Sequence, residues 1–137
     1  MEKSRGVVIS AFIKNKEGKY LAVFDPKIKF WRVPGGRNEF GEKAEDTITR
    51  EAKEELNIEV EIIRFLGFGQ DRVIVRNEKD AWRTILYYET RALSEDIQPD
   101  EKEIAEYKWV TFEELKKLFP LEPALEDMLQ RFDPLLE

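Results

Sequence analysis

The chain of 137 residues contains neither cysteine nor histidine. Without cysteine it has no disulfide framework and no thiol nucleophile. Without histidine it lacks the commonest general base and the commonest ligand of transition metals. Any acid–base chemistry must therefore use Glu, Asp, Lys or Tyr, and any metal site must use oxygen ligands, which favour Mg²⁺, Mn²⁺ or Ca²⁺.

The sequence also lacks a long apolar run and an excess of positive charge. No segment approaches the roughly 20 apolar residues of a membrane-spanning helix, and residues 1–12 do not have the pattern of a signal peptide. We therefore expect a cytoplasmic protein with no membrane association. With a net charge of −6, no stable complex with nucleic acid is expected, because that affinity comes mainly from Lys and Arg contacts with phosphates. A homodimer is left open.

What is present fits one globular domain spanning residues 1–137. Hydrophobic residues make up 42% of the chain and charged residues 38%, so the chain is expected to fold rather than stay disordered. A domain of this length buries about two thirds of the surface that its unfolded chain exposes. It therefore needs no disulfide or metal to fold.

Hydrophobic periodicity predicts strands, then a helix, then strands, then two helices. This order is not the alternation of a doubly wound parallel sheet, so we expect an α+β fold with a mixed sheet flanked by helices. Pro34-Gly35-Gly36 is expected to end a strand, and Gly67 and Gly69 to interrupt one. The predicted elements are strands 6–15, 20–25, 30–33, 58–70, 83–93 and 107–110, a loop or hairpin tip 75–82, and helices 43–56, 111–119 and 122–132, with a capping box of Thr111 and Glu114.

Three glutamates, Glu51, Glu54 and Glu55, lie close together in the first predicted helix. At about 100° per residue, Glu51 and Glu55 share a face with the apolar residues Ile48 and Ala52. Like charges at i,i+4 repel by roughly 0.2–0.5 kcal/mol, and partial burial makes their proximity more costly. A divalent cation among the carboxylates would explain the placement, since Mg²⁺ prefers hard oxygen ligands. A solvated acidic helix with basic neighbours is the alternative.

The residues before these glutamates change the balance between the two interpretations. Gly36, Glu42 and Arg50 fit the pattern glycine, five residues, glutamate, seven residues, then Arg-Glu-apolar-x-Glu-Glu-x-Gly-apolar, which ends at Ile58. The segment Gly36–Ile58 thus resembles the Nudix box, and seven matches over 23 residues make a chance agreement improbable.

One position of the box departs from the pattern, because Asn57 stands in place of the last glycine. This position directly follows the helix and commonly needs a left-handed backbone. Asparagine is the usual second choice after glycine there. The departure is therefore interpreted as tolerated at a modest cost in stability.

The resemblance implies an α/β/α sandwich around a mixed β-sheet. It also implies Mg²⁺- or Mn²⁺-dependent hydrolysis of a nucleoside diphosphate linked to another moiety X, so that the partner is a small nucleotide. Arg50 is implied to hold a catalytic carboxylate in place. The implied roles are metal ligation by the Gly35 carbonyl, Glu51, Glu54, Glu55 and Glu103, support by Gly36, Glu42 and Arg50, and catalysis by Glu51, Arg50 and Glu103.

Glu103 enters this set through its place in a loop, six residues before Trp109. Many Nudix members carry a further glutamate at such a position. Glu106 is the nearby rival, and one more charge in an acidic loop is the alternative for both. With no histidine in the chain, Glu51 or Glu103 is the expected general base, and we favour Glu51.

The moiety X is not defined by the box. By elimination we favour a nucleoside di- or triphosphate or a nucleotide sugar, with ADP-ribose, a dinucleoside polyphosphate or a non-catalytic nucleotide-sensing module as alternatives. Aromatic side chains could stack on a base and arginines could hold phosphates, although core packing and surface solvation are the alternatives. The candidates are Phe68, Trp82, Tyr87 and Tyr88 for stacking, and Arg72, Arg76 and Arg83 for phosphate.

Overall fold

The computed structural model describes residues 7–75 and 79–132. Strands and helices follow one another largely in the predicted order. None of the helices in these ranges is long and apolar enough to cross a membrane. The elements are β1 (Val8–Lys14), β2 (Tyr20–Asp25), β3 (Phe30–Arg32), β4 (Gly35–Arg37), α1 (Ala44–Leu56), β5 (Val60–Val75), β6 (Lys79–Ala92), β7 (Glu106–Val110), α2 (Phe112–Lys116) and α3 (Pro123–Phe132).

The strands form one mixed sheet in the order β3-β2-β1-β6-β5. β1 pairs in parallel with β6 along its whole length and antiparallel with β4. β2 pairs antiparallel with both β3 and β7, and β5 pairs antiparallel with β6. The parallel pair at the centre explains why a hairpin-rich sequence still yields a mixed sheet.

Two hydrophobic cores lie on the two faces of this sheet. Because successive side chains of a strand point to opposite faces, Ile9 and Ala11 of β1 pack in the α1 core, whereas Phe12 packs in the other. α3 contributes Leu125 and Met128 to the core that contains Phe12. The expected α/β/α sandwich around a mixed sheet is confirmed.

Helix α1 begins at Ala44, one residue after the predicted start, and ends at Leu56 as predicted. Ile48 and Ala52 are buried in the core, as the helical periodicity indicated. Asn57 adopts the left-handed conformation, with φ 57° and ψ 39°, and its N–H group bonds back to the last turn. The interpretation of Asn57 as the residue that stops the helix is confirmed.

Pro34-Gly35-Gly36 ends a strand as expected, since β3 stops at Arg32, but the chain then rejoins the sheet, which the sequence did not predict. Gly35–Arg37 forms β4, which pairs with β1. A Cβ atom on Gly35 would lie 2.3 Å from the carbonyl oxygen of Ile9, so this pairing requires a glycine. The glycines that signalled a loop instead permit a close backbone approach.

β5 is irregular at Gly67, where its pairing with β6 shifts register between Phe65 and Gly67, but neither Gly67 nor Gly69 ends the strand, which runs on to Val75. A Cβ atom on Gly69 would lie 1.9 Å from the carbonyl oxygen of Ala124, and one on Gly67 would lie 2.6 Å from the Phe132 ring. The two glycines therefore make room for α3 to pack on the strand.

Three further boundaries differ from the sequence prediction. The hairpin tip or loop predicted at 75–82 is shorter than expected, because Val75 and residues 79–82 belong to β5 and β6, which pair antiparallel from Val75 and Lys79 onward. Residues 76–78, including Arg76, lie outside the described residues. α2 ends at Lys116, earlier than predicted. Its capping box is confirmed, since Thr111 accepts from the Glu114 N–H at 3.1 Å and Glu114 from the Thr111 N–H at 2.8 Å.

Candidate active site

The three glutamates of α1 occupy three different environments on one helix. The side chain of Glu54 is 60% exposed, that of Glu51 is 15% exposed and that of Glu55 only 4%. Glu51 and Glu55 therefore face the sheet, as the helical wheel predicted, and Glu54 faces solvent. Within about one turn of helix, the three carboxylates thus range from solvent to the protein interior.

Arg50 is the centre of the acidic cluster. Its Nε donates to Glu42 at 2.7 Å, and its Nη1 donates to Glu51 at 2.6 Å and to Glu54 at 3.2 Å. Its Nη2 donates to the carbonyl oxygen of Arg37 in β4 at 3.0 Å. One guanidinium thus fixes two of the α1 carboxylates and ties the helix to the strand beside it.

Glu42 holds this guanidinium in place. Hydrogen bonds from Arg50 and from the Glu39 N–H lower the pKa of Glu42 to about 2, and the Thr47 hydroxyl adds a further bond. Glu42 is therefore ionised throughout the neutral range. A permanent carboxylate at this point keeps Arg50 oriented toward α1.

Strand β4 sets how closely Glu51 and Glu55 approach the sheet. A Cβ atom on Gly36 would lie 2.4 Å from the carboxyl carbon of Glu51, so only glycine leaves room for this side chain. The Gly35 N–H donates to Glu55 Oε1 at 3.3 Å. Gly36 and Gly35 thus position the Glu51 and Glu55 carboxylates, and both belong to β4, a strand that the sequence did not predict.

Glu55 is also held by Arg32, which sequence reasoning missed. Arg32 Nη2 donates to Glu55 at 3.2 Å, and Arg32 Nε donates to Asp25 at 3.0 Å. All three side chains are buried. A signal for Arg32 was present in the sequence, since a charged residue interrupts the otherwise apolar Phe30–Val33.

Negative charge exceeds positive charge in this site. Burial raises the pKa of Glu55 to about 7; Arg32 opposes the shift and Glu51 adds to it. Burial also raises the pKa of Glu51, with Arg50 opposing and Glu54 adding. Two arginines, Arg50 and Arg32, face six carboxylates within 3.5 Å, so the carboxylates resist being charged together.

The donor set suits a hard divalent cation, because carboxylate oxygens are the ligands that such ions prefer and because added positive charge would offset the excess. Among the described residues, no three carboxylates yet converge on one point. Arg50 instead holds oxygens of Glu51 and Glu54. The residues that could hold the cation are Glu51, Glu54 and Glu55, with the Gly35 carbonyl.

A family model described as the NUDIX domain matches residues 4–132. The chain belongs to the Nudix family. Nudix hydrolase 5 of Arabidopsis thaliana is 32% identical to it over 116 residues, which are 81% of this chain and 38% of that protein. Nudix hydrolase 10 of the same plant is 33% identical over 73% of this chain. The chain spans only 34% to 38% of the length of these two relatives.

Solved Nudix structures share the fold. The MutT protein of Methanosarcina mazei superposes with a TM-score of 0.74 at 22% identity, covering 98% of this chain and 96% of that one. At this level of identity the likeness establishes the fold alone. The segment Gly36–Ile58 is therefore the Nudix box of a Nudix domain.

Glu103 lies in a loop that is attached to the end of α1 by main-chain bonds. The Asp100 N–H donates to the carbonyl oxygen of Glu55 at 2.8 Å. The Glu103 carboxylate itself accepts from Lys27 Nζ at 2.6 Å. Its rival Glu106 is the first residue of β7 and lines a surface depression of about 450 Å³ with Tyr107.

Of the predicted substrate-binding residues, Arg83 and Phe68 contact other side chains of the fold, whereas Arg72 and Trp82 lie at the surface. Arg83 is bonded to Asp71 and Glu122, and the Phe68 ring lies 5.4 Å from that of Phe132 at the end of α3. Arg72 lies over the Trp82 ring, whose residue is 78% exposed. Of the alternative stacking residues, Tyr87 is fully buried in the core and Tyr88 is half-buried.

Proposed function

We propose that the chain is a pyrophosphohydrolase that cleaves the diphosphate bond of a nucleoside diphosphate linked to another moiety, with Mg²⁺ or Mn²⁺ as cofactor. The observation that carries this proposal is the arrangement of Glu51 and Glu54 on Arg50, next to Glu55 on Arg32, with carboxylates in excess of their protein counter-charges. Such an arrangement destabilises the isolated protein and becomes useful when a cation binds.

The cation would be held by the α1 glutamates, with Glu103 and the Gly35 carbonyl as further candidate ligands. When bound, a divalent ion neutralises phosphate charge and lowers the pKa of a coordinated water. Without that charge, an acidic site in a chain of net charge −6 repels its substrate.

The chain's own residues supply orientation and a proton acceptor. Arg50 keeps the Glu51 and Glu54 oxygens on one side of the helix, and Glu42 keeps Arg50 there. Glu51 is our choice as general base, because the chain has no histidine and this carboxylate is held by Arg50 on the face of α1 that packs on the sheet. Glu103 is the second candidate.

For the substrate, we propose a nucleoside di- or triphosphate or a nucleotide sugar. Solved structures with this fold include a UDP-X diphosphatase, with a TM-score of 0.68 at 20% identity over 95% of this chain, and an ADP-ribose pyrophosphatase, with a TM-score of 0.66 at 22% identity over 93% of this chain, so the fold is compatible with both substrate classes. The exposed Trp82 with Arg72 is the candidate platform for a base.

A substrate panel tests the proposal directly. Release of phosphate or pyrophosphate would be followed over nucleoside di- and triphosphates, UDP-linked sugars, ADP-ribose and dinucleoside polyphosphates, with Mg²⁺, with Mn²⁺ and with chelator. We expect turnover of at least one class that chelator abolishes. Turnover unchanged by chelator would rule out the metal mechanism, and tight nucleotide binding without turnover in either metal would favour a sensing module.

A further inference from the structure

The turn between β2 and β3 is built to fix one lysine. The Asp25 carboxylate accepts from the Lys27 N–H at 2.8 Å, and the Asp25 carbonyl oxygen accepts from the Lys29 N–H at 2.8 Å. Lys29 adopts a left-handed backbone with φ 64°, which closes the turn. The backbone of Lys27 is thus held from both sides, although its side chain is charged and only half-buried.

The lysine side chain reaches across the fold to the loop before β7. Lys27 Nζ lies 2.6 Å from Glu103 Oε1, a contact between residues 76 positions apart in the chain. The loop on the Glu103 side is fixed as well, because the Glu103 N–H donates to the Asp100 carbonyl oxygen at 3.0 Å and Ile104 is buried. Two constrained backbones therefore present one ammonium to one carboxylate.

Both partners are connected to Glu55 by short paths. On the lysine side, Asp25 accepts from Arg32, which donates to the Glu55 carboxylate. On the glutamate side, the Asp100 N–H donates to the Glu55 carbonyl oxygen. The Lys27–Glu103 pair thus lies at the same end of α1 as the most buried candidate cation ligand.

We propose that Lys27 is a positioning residue that holds the Glu103 carboxylate in the cation-free protein and competes with the divalent cation for it. This inference rests on the proposed function, because Glu103 is a proposed ligand there. The ammonium occupies the oxygen that the cation needs, so Glu103 joins the site only when the cation displaces Lys27. Cation binding and release of Lys27 are then one exchange.

The alternative is a surface ion pair without a role in the site. Half-exposed pairs of this kind contribute about 0–1 kcal/mol to stability, and removing one would leave cation binding unchanged. The exchange model makes a different prediction, because removing the competing ammonium must favour the cation through Glu103 specifically. The effect of Lys27 should therefore depend on whether Glu103 can still bind.

The experiment measures Mn²⁺ binding by the full chain without substrate, from the electron paramagnetic resonance signal of free Mn²⁺. We expect Lys27→Met to bind Mn²⁺ about two- to fivefold more tightly than the wild type, the range expected on removing a half-exposed ion pair. Lys27→Arg keeps the charge and the donor and should restore wild-type affinity. Lys29→Met removes the same charge from the same turn and reports the general electrostatic effect.

The double variant Lys27→Met, Glu103→Gln tests whether Lys27 acts through Glu103. In a chain that carries Glu103→Gln, Lys27→Met should raise the Mn²⁺ affinity no more than Lys29→Met raises it in the wild type. Equal Mn²⁺ affinity of Lys27→Met and wild type, or the same gain with and without Glu103, would overturn the inference. If the wild type shows chelator-sensitive hydrolysis, either of these results refutes the role of Lys27 alone. If the wild type shows no such hydrolysis, the proposed function itself is refuted.

Discussion

The molecule carries two clusters of carboxylates around an arginine, one on each face of the sheet. In the cluster under α3, Arg83 donates to Asp71 at 2.9 and 2.6 Å and to Glu122 at 3.1 Å. The Asp71 and Glu122 side chains are 1% and 2% exposed. The α1 cluster around Arg50 is more open, with Glu54 60% exposed.

The two clusters differ in how their charges are satisfied. Under α3, Asp71 also accepts from the Ala124 N–H at 2.9 Å and Glu122 accepts from the Tyr87 hydroxyl at 3.3 Å, so each carboxylate has several protein donors. In the α1 cluster, Glu42, Glu51 and Glu54 share Arg50, whereas Glu55 bonds to Arg32. The cluster under α3, the closed cluster, joins α3 to the sheet. The α1 cluster, the open cluster, has carboxylates with which another cation could pair.

The largest expected effect is on the open cluster. Glu54→Gln removes a proposed cation ligand and should lower kcat by roughly 100-fold or more, since a lost metal ligand costs several kcal/mol of transition-state stabilisation. Because this side chain is mostly exposed, the free energy of unfolding should change by no more than about 0.5 kcal/mol. Steady-state kinetics and urea unfolding of the same preparation check both statements; near-wild-type turnover refutes the ligand role.

The reciprocal change is Asp71→Asn in the closed cluster. It replaces one accepting oxygen of a buried carboxylate, which bonds Arg83 and the Ala124 N–H, by an NH2 donor, and we expect a loss of about 3 kcal/mol in the free energy of unfolding. Turnover per folded molecule should stay within about twofold of wild type, since the cluster is placed outside the reaction. A large fall in kcat at conditions where the variant is fully folded would show that the two clusters are coupled.

A pH series tests Glu55, the most buried carboxylate of α1, with stability and not activity as the readout. The pKa of Glu55 is about 7 in the folded protein against an ordinary 4.5, so the folded state binds a proton more tightly than the unfolded chain in that window. In chelator, unfolding free energy should therefore fall as the pH rises from 4.5 to 7, by about 1–3 kcal/mol from this group. Glu55→Gln should make this fall in stability smaller. If stability depends on pH as steeply in the variant as in the wild type, the raised pKa does not belong to Glu55.

The smallest expected effect is at the end of α1. Asn57→Gly relieves the left-handed backbone of an L-residue, at the loss of an exposed bond of 3.3 Å to Gln98. We expect a gain of about 0.5 kcal/mol in stability with unchanged kcat. Thermal unfolding and kinetics of the purified variant measure this, and a fall in kcat would show that Asn57 takes part in the site.

Local signals in the sequence predicted the helix and its surroundings well. The spacing of Ile48, Ala52 and Leu56 located α1, and the left-handed preference of asparagine located its end. The register of the box grouped Gly36, Glu42, Arg50 and Glu51, which the fold brings into contact. The roles of these residues in metal binding and catalysis stay predictions.

Interactions between distant segments could not be predicted in this way. β4 exists because Gly35 and Gly36 fit between β1 and α1, a requirement that appears in no local pattern. Gly69 was interpreted as a strand breaker because its contact with Ala124, 55 positions later in the chain, leaves no local signal in the sequence. Arg32 and Glu55 are 23 residues apart, and only the packed sheet brings them together.

The attachment of the Glu103 loop to α1 has a consequence for how the protein can diversify. Gln98 and Asp100 use their N–H groups, not their side chains, to bond the carbonyl oxygens of Leu56 and Glu55. Pro99, which has no N–H group, stands between these two donors. Exposed side chains of this loop, such as Glu101 and Lys102, can therefore change without shifting the backbone on which Glu103 stands, whereas Asp100, which accepts from the Lys102 N–H at 3.1 Å, and the buried Ile104 cannot. Proline at position 98 or 100 is the change that this freedom does not include.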